Sequence, residues 1–161
     1  MKTFQTTRRV AHSANDMFAL VADVERYPEF LPLCKALNLR SRETIDGKEV
    51  LTADMTVAYK IFSETFTSRV TLDPDTPQIL VEYIEGPFRH MENRWDFRAA
   101  GEGACDVDFH IDYEFHPGPL GLMMGAMFNQ AFGKFAEAFE KRADAVYGKS
   151  FGSDQAQPGG S

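Results

Sequence analysis

From Leu120 to Val146 an apolar residue recurs every three or four positions: Leu120, Met124, Phe128, Phe132, Phe135, Phe139, Ala143 and Val146. That spacing follows the 3.6-residue turn and predicts one amphipathic helix of about seven to eight turns, ending at Tyr147-Gly148. Pro119 suits its first turn, where a missing N–H costs nothing. Such a helix must lay its ring-bearing stripe on another surface.

The rest of the chain points to a sheet as that surface. Met1 to Val10 tolerates an edge strand. Ser13 and Asp16 form a capping box ahead of Met17, Phe18, Leu20 and Val21 at helical spacing. Asp23 to Leu33 contains Pro28 and Pro32, which limits it to a short helix or turns. From Lys35 to Phe115 the pattern changes to strands separated by turn signals at Asp46-Gly47, Asp73-Pro74-Asp75-Thr76-Pro77, Gly86-Pro87 and Ala99 to Gly103. The last strand alternates cleanly. Val107, Phe109, Ile111, Tyr113 and Phe115 face one way, and Asp106, Asp108, His110, Asp112 and Glu114 face the other. The expected class is therefore α+β: a curved seven-stranded antiparallel sheet wrapped around a long C-terminal helix, with two short helices after the first strand. Residues 1–148 form one domain, and the Gly-rich polar stretch 149–161 is expected to be a disordered tail.

Composition narrows the interior. The 161 residues include 14 Phe against 5 Tyr and 1 Trp. Phe has no polar handle, so this bias calls for a very aromatic core or an aromatic-lined cavity. Cys34 and Cys105 lie far apart, without a C-x-x-C or clustered His, which leaves disulfide-framework, zinc and thioredoxin-like readings without support and favours a reducing setting. The N-terminus lacks an apolar signal region, and no stretch reaches the ~20 apolar residues of a membrane span. A cytoplasmic location is expected, extending to the inner face of a membrane.

Four blocks resemble a known family: Val21-x-Asp23-Val24-Glu25-x-Tyr27-Pro28-Glu29-Phe30-Leu31-Pro32-x-Cys34; Gly86-Pro87-Phe88 with Trp95-x-Phe97; Val107-x-Phe109-x-Ile111-x-Tyr113-Glu114-Phe115; and Ala138-Phe139-x-x-Arg142-Ala143. Together they resemble the START-like coenzyme Q-binding proteins of the polyketide cyclase/dehydrase and lipid-transport superfamily, a family that also contains the bacterial ribosome association toxins. The resemblance spans roughly Lys2 to Gly148. One departure is Leu33, where many members carry Trp. The resemblance implies a helix-grip fold around a hydrophobic tunnel, with ubiquinone or a related isoprenoid lipid as ligand and a role in respiratory electron transport.

Other chemistries find little footing. None of His12, His90, His110 and His116 sits in a catalytic or metal-binding motif. The acids around His110 read as a solvated face paired across strands with Arg94 and Arg98. Neither cysteine has an adjacent activating base. No phosphate-cradling glycine loop is present, and a net charge of -7 opposes nucleic acid. No enzyme, no metal and no covalently bound cofactor are expected. The candidate ligand wall comprises Tyr27, Phe30 and Leu31 at one rim. Phe66, Phe88, Trp95, Phe97, Phe109, Ile111 and Tyr113 stand on the sheet, and Met124, Phe128, Phe132 and Phe135 on the helix. Gly121, Gly125 and Gly133, with Met123, Met124 and Met127, suggest that the helix's first half is soft enough to act as a gate. The uncharged run Leu120 to Phe128 is a candidate membrane contact. The alternative readings are a ribosome-associating, toxin-like interaction protein and, more weakly, a cyclase-like enzyme.

Overall fold

The computed structural model describes residues 1–59 and 61–148; the expected disordered tail, 149–161, lies outside the described residues. Strand β1 (Lys2–Val10) leads into helix α1 (Ala14–Ala22) and a 3-10 helix (Val24–Glu29). Six strands follow: β2 (Cys34–Ile45), β3 (Lys48–Tyr59), β4 (Phe62–Asp73), β5 (Gln78–Glu85), β6 (Phe88–Ala99) and β7 (Cys105–Phe115). Helix α2 (Pro119–Tyr147) closes the chain. The strands form one antiparallel sheet in the order β1-β7-β6-β5-β4-β3-β2, and α2 packs on β7, β1 and α1. This is the helix-grip arrangement.

Local chemistry sets the element ends. The Ser13 hydroxyl accepts from the Asp16 N–H, as the capping box requires. Pro28 lies inside the 3-10 helix, whose short span tolerates the break. Leu33, at a φ of 69°, then turns the backbone into β2. Asp46 and Gly47 both take positive φ, the conformation that joins β2 to β3 with two residues. Gly118 precedes α2, Pro119 opens it, and Gly148 ends it in the left-handed region with its N–H on the Asp144 carbonyl.

On the outer face the acids of β7 are engaged by their neighbours. Arg98 makes a two-pronged contact with Asp108 at 2.8 and 2.9 Å, and Arg9 clasps Asp106 from β1. Thr7 and Thr3 donate to Asp108 and Asp112. These contacts hold all three carboxyl groups below the ordinary aspartate range. One expected pair differs. Arg94 lies opposite His110 in the register and turns instead to Glu92 on its own strand, because the nearest acid across the strand gap is not in line with it.

Gly121 has a steric role that its helix propensity does not reveal. A Cβ there would stand 2.1 Å from the His116 carbonyl oxygen, so the bend between β7 and α2 closes only over a glycine. Gly133 meets nothing within 4 Å, so the softness expected of the three glycines is unforced only there and at the loosely packed Gly125. Gly121→Ala should therefore cost about 1–3 kcal/mol through forced displacement, whereas its helix propensity alone would give a gain. Urea unfolding midpoints of the two proteins check the sign.

Candidate functional site

The concave face of the sheet and the inner stripe of α2 do not fully interdigitate. Between them lies a cavity of about 110 Å³. Ten of the fourteen wall residues expected from sequence line it. Tyr27 and Leu31 come from the segment before β2; Phe66, Phe88, Trp95, Phe109 and Ile111 from the sheet; Phe128, Phe132 and Phe135 from α2. Four lie elsewhere. Phe30 packs on Phe139 and under the Arg142 guanidinium, in an outer groove with Pro32 and Lys134. Phe97 is covered by Phe18 of α1, since the sheet face beneath α1 is continuous with the one beneath α2. Met124 is buried but does not reach the cavity, and Tyr113 lies behind Phe132 in a separate groove.

Several lining residues escaped the sequence reading. Phe139 closes one end, its ring 5.1 Å from Trp95 and 5.3 Å from Tyr27. It continues the helical stripe beyond Phe135, and that spacing was the signal for it. Met55 and Val57 on β3, and Val70, Ile79 and Val81 on β4 and β5, line the far side. Their alternation was visible, but which strands would lie under the helix depended on curvature. Cys34 also lines the cavity, at the start of β2.

The lining is apolar and uncharged: it contains no Asp, Glu, His, Lys or Arg. Its polar groups are largely committed. Asn93 donates to the His110 carbonyl and accepts from the Trp95 indole N–H at 2.8 Å, and the Tyr27 hydroxyl donates to the Val21 carbonyl. Burial pushes the Cys34 thiol up to about 11, so it stays protonated near neutrality, and Cys105 is raised to about 11 for the same reason. Burial also raises Tyr27 well above the ordinary phenol range. Among the described residues no group of three or more His, Cys, Asp or Glu is placed to hold a metal ion.

The start of α2 carries exposed apolar side chains. Leu120, Leu122 and Met123 are exposed, whereas Met124, Met127 and Phe128 point inward, so only the first part of the run Leu120 to Phe128 offers an outer surface. Strands β3, β5 and β7 finish at this same end of the sheet, and β1 starts there. Met1, Ile61 and Ile84, also exposed, therefore share it.

A family model described as polyketide cyclase/dehydrase and lipid transport matches residues 10–140. The chain belongs to this family. Among its relatives is the ribosome association toxin RatA of Vibrio cholerae, 34% identical over 149 residues, covering 92% of this chain and 100% of RatA. The mitochondrial coenzyme Q-binding protein coq10 of Schizosaccharomyces pombe is 25% identical over 144 residues, covering 89% and 87%. In fold, this polyketide cyclase/dehydrase and lipid-transport chain matches the crystal structure of the ZhuI aromatase/cyclase from Streptomyces sp. R1128. The TM-score is 0.78 at 19% identity, over 95% of this chain and 99% of that one. A START superfamily protein from Mycobacterium smegmatis gives 0.76 at 24% identity, over 89% and 98%. The START-like architecture implied by the sequence resemblance is thus the one observed. No helix among the described residues is long and apolar enough to cross a membrane.

Phe132 is the centre of the ring network, with Phe4, Phe109, Tyr113, Phe128 and Phe135 all within 6.1 Å between centroids. Phe132→Ala should cost about 3–5 kcal/mol, more than any truncation on the outer face, as read from denaturant unfolding at unchanged m-value.

Proposed function

We propose that this protein binds an apolar isoprenoid ligand, a ubiquinone or close relative, between the sheet and α2, and acts as a carrier that supports respiratory electron transport. The observation that carries this reading is the uncharged, ring-lined cavity enclosed by those two elements. The name of the coq10 relative, a coenzyme Q-binding protein, and the lipid-transport description of the family support the choice of ligand. A binding role is preferred to catalysis because no lining residue offers an acid or base that titrates near neutrality.

Size decides how binding must proceed. A cavity of about 110 Å³ is smaller than the ~150 Å³ void that admits benzene, and sites for small organic ligands run to roughly 300–1,000 Å³. A substituted quinone ring with an isoprenoid tail therefore enters only if α2 moves off the sheet. Apolar burial at ~25 cal/mol per Å² then drives closure on the ligand. The first half of α2 is the section to yield: a Cβ at Gly133 would meet nothing within 4 Å, and Leu120, Leu122 and Met123 face outward. The same end, with Met1, Ile61 and Ile84, is the surface we assign to transient contact with a bilayer during loading.

Organic extraction of the purified protein should yield a quinone by mass spectrometry. A short-chain ubiquinone at a hundredfold excess over Kd should add about 2.7 kcal/mol, a rise in Tm of about 5–10 °C. An extract without quinone or lipid, together with an unmoved Tm, sinks the carrier reading. Gly133→Ala touches no lining atom and should stiffen α2 by about 0.5–1 kcal/mol. Stopped-flow association should then slow while the closed cavity is unchanged.

A second reading rests on the RatA relative, whose identity to this chain exceeds that of coq10. On that reading the protein associates with ribosomes and inhibits translation. With a net charge of -7, contact would run through protein or a local basic patch. Co-sedimentation with ribosomes at physiological salt tests it.

A further inference from the structure

Among the described residues, the Tyr113 hydroxyl is the buried side-chain polar group without a hydrogen-bond partner. The residue is 1% exposed. A sealed hydroxyl left unpaired is destabilising, and native folds almost always satisfy such groups. This fold does so elsewhere, as Tyr27 with Val21 and Trp95 with Asn93 show. An unpaired hydroxyl on the inner face of β7 is therefore a place where a partner from outside the chain fits.

Tyr113 also belongs to a groove of about 350 Å³ between the β1–β7 edge and the first turns of α2. On the helix side the groove is bounded by Gly118, Gly121, Leu122 and Gly125, and the three glycines leave stretches of the helix's first turns bare of side chains. Gly118 provides no side-chain cap, and the first turn carries no acidic residue. The helix's positive end thus lacks the oxygen partner that a Ser, Asp or Glu would supply. The charged residues of the groove are both on strands. Lys2 is exposed at its rim, and Glu114 is drawn toward Arg89 at 3.6 Å. With no cation in the buried part, a desolvated anion is not stabilised there, and a neutral oxygen acceptor is. Burial raises the Tyr113 pKa, which keeps the phenol a donor.

Aromatic rings lie between this groove and the cavity. Phe115 and Tyr113 stand on the groove side, Phe128 and Phe132 on the other, with ring centroids 5.6 Å apart for Phe115–Phe128 and 5.3 Å for Tyr113–Phe132. Displacement of α2 opens both spaces together. We propose that the groove receives the polar head of the apolar ligand, with the Tyr113 hydroxyl donating a hydrogen bond to a neutral carbonyl oxygen while the hydrocarbon part occupies the cavity. This inference rests on the hydrophobic-ligand reading and adds the group that recognises the head.

Tyr113→Phe removes one oxygen atom and leaves the ring packing in place. Binding of decylubiquinone and of dodecylbenzene, a tail with no carbonyl, is followed by isothermal titration calorimetry, with quenching of the single tryptophan, Trp95, which lines the cavity, as a second readout for the quinone. The variant should bind decylubiquinone about 3- to 10-fold more weakly, bind dodecylbenzene unchanged, and melt, without ligand, at or above the wild-type temperature. Equal decylubiquinone affinity in the two proteins overturns the Tyr113 assignment and leaves the carrier reading standing. A lower unliganded Tm overturns it too, because the hydroxyl would then already be satisfied within the fold. If wild-type protein binds neither probe, the hydrophobic-ligand reading itself fails and takes this inference with it.

Discussion

A bent antiparallel sheet has a concave apolar face that water cannot be left to cover, and in this chain α2 is the element long enough to do it. The stripe Phe128, Phe132, Phe135 and Phe139 meets rings from four other elements: Phe4 on β1, Tyr27 and Phe30 around the 3-10 helix, Phe88 and Trp95 on β6, and Phe109, Tyr113 and Phe115 on β7. Half of these contacts are edge-to-face, an arrangement that ring quadrupoles favour, and the other half are tilted. Because rings are rigid and flat, they tile a curved surface imperfectly. The cavity is the residue of that misfit, so packing and site arise from the same interaction.

The misfit is apolar by construction. Along β7 the side chains alternate, and its acids are committed to the outer face, where Arg9, Arg98, Thr3 and Thr7 hold them. Inside, Asn93 is engaged at both its nitrogen and its oxygen, by a backbone carbonyl and by Trp95. What remains inside is shape and surface dryness, the two properties on which the proposed binding of an apolar ligand rests. Tyr113 departs from this pattern, its buried hydroxyl unpaired among the described residues.

The fold was largely legible because its signals were local. The capping box at Ser13, the turn at Asp46-Gly47, the alternation of β7 and the periodicity of α2 each act within a few residues and appear where expected. The site was less legible because lining a cavity is a property of curvature. Val70, Ile79 and Val81 alternate like any half-buried strand, and nothing local places them under the helix. Phe97 alternates in the same way and ends under α1 instead. Gly121 looked like softness and proved to be clearance for the His116 carbonyl, a contact that exists only once β7 and α2 are both in place.

The strand order carries a consequence for how the molecule comes into being. β1 and β2, neighbours in the chain, sit at opposite edges of the sheet, and β1 pairs only with β7, across separations such as the 109 residues between Thr3 and Asp112. The β2 to β7 meander closes through short hairpins as it leaves the ribosome. β1 must wait, its edge unpaired, until the chain is more than two-thirds made. Long-range pairing of this kind slows folding and leaves an open strand exposed meanwhile. Polar residues recur along β1, with Arg8 and Arg9 near its C-terminal end, and such charges oppose edge-to-edge pairing while the strand waits for its partner.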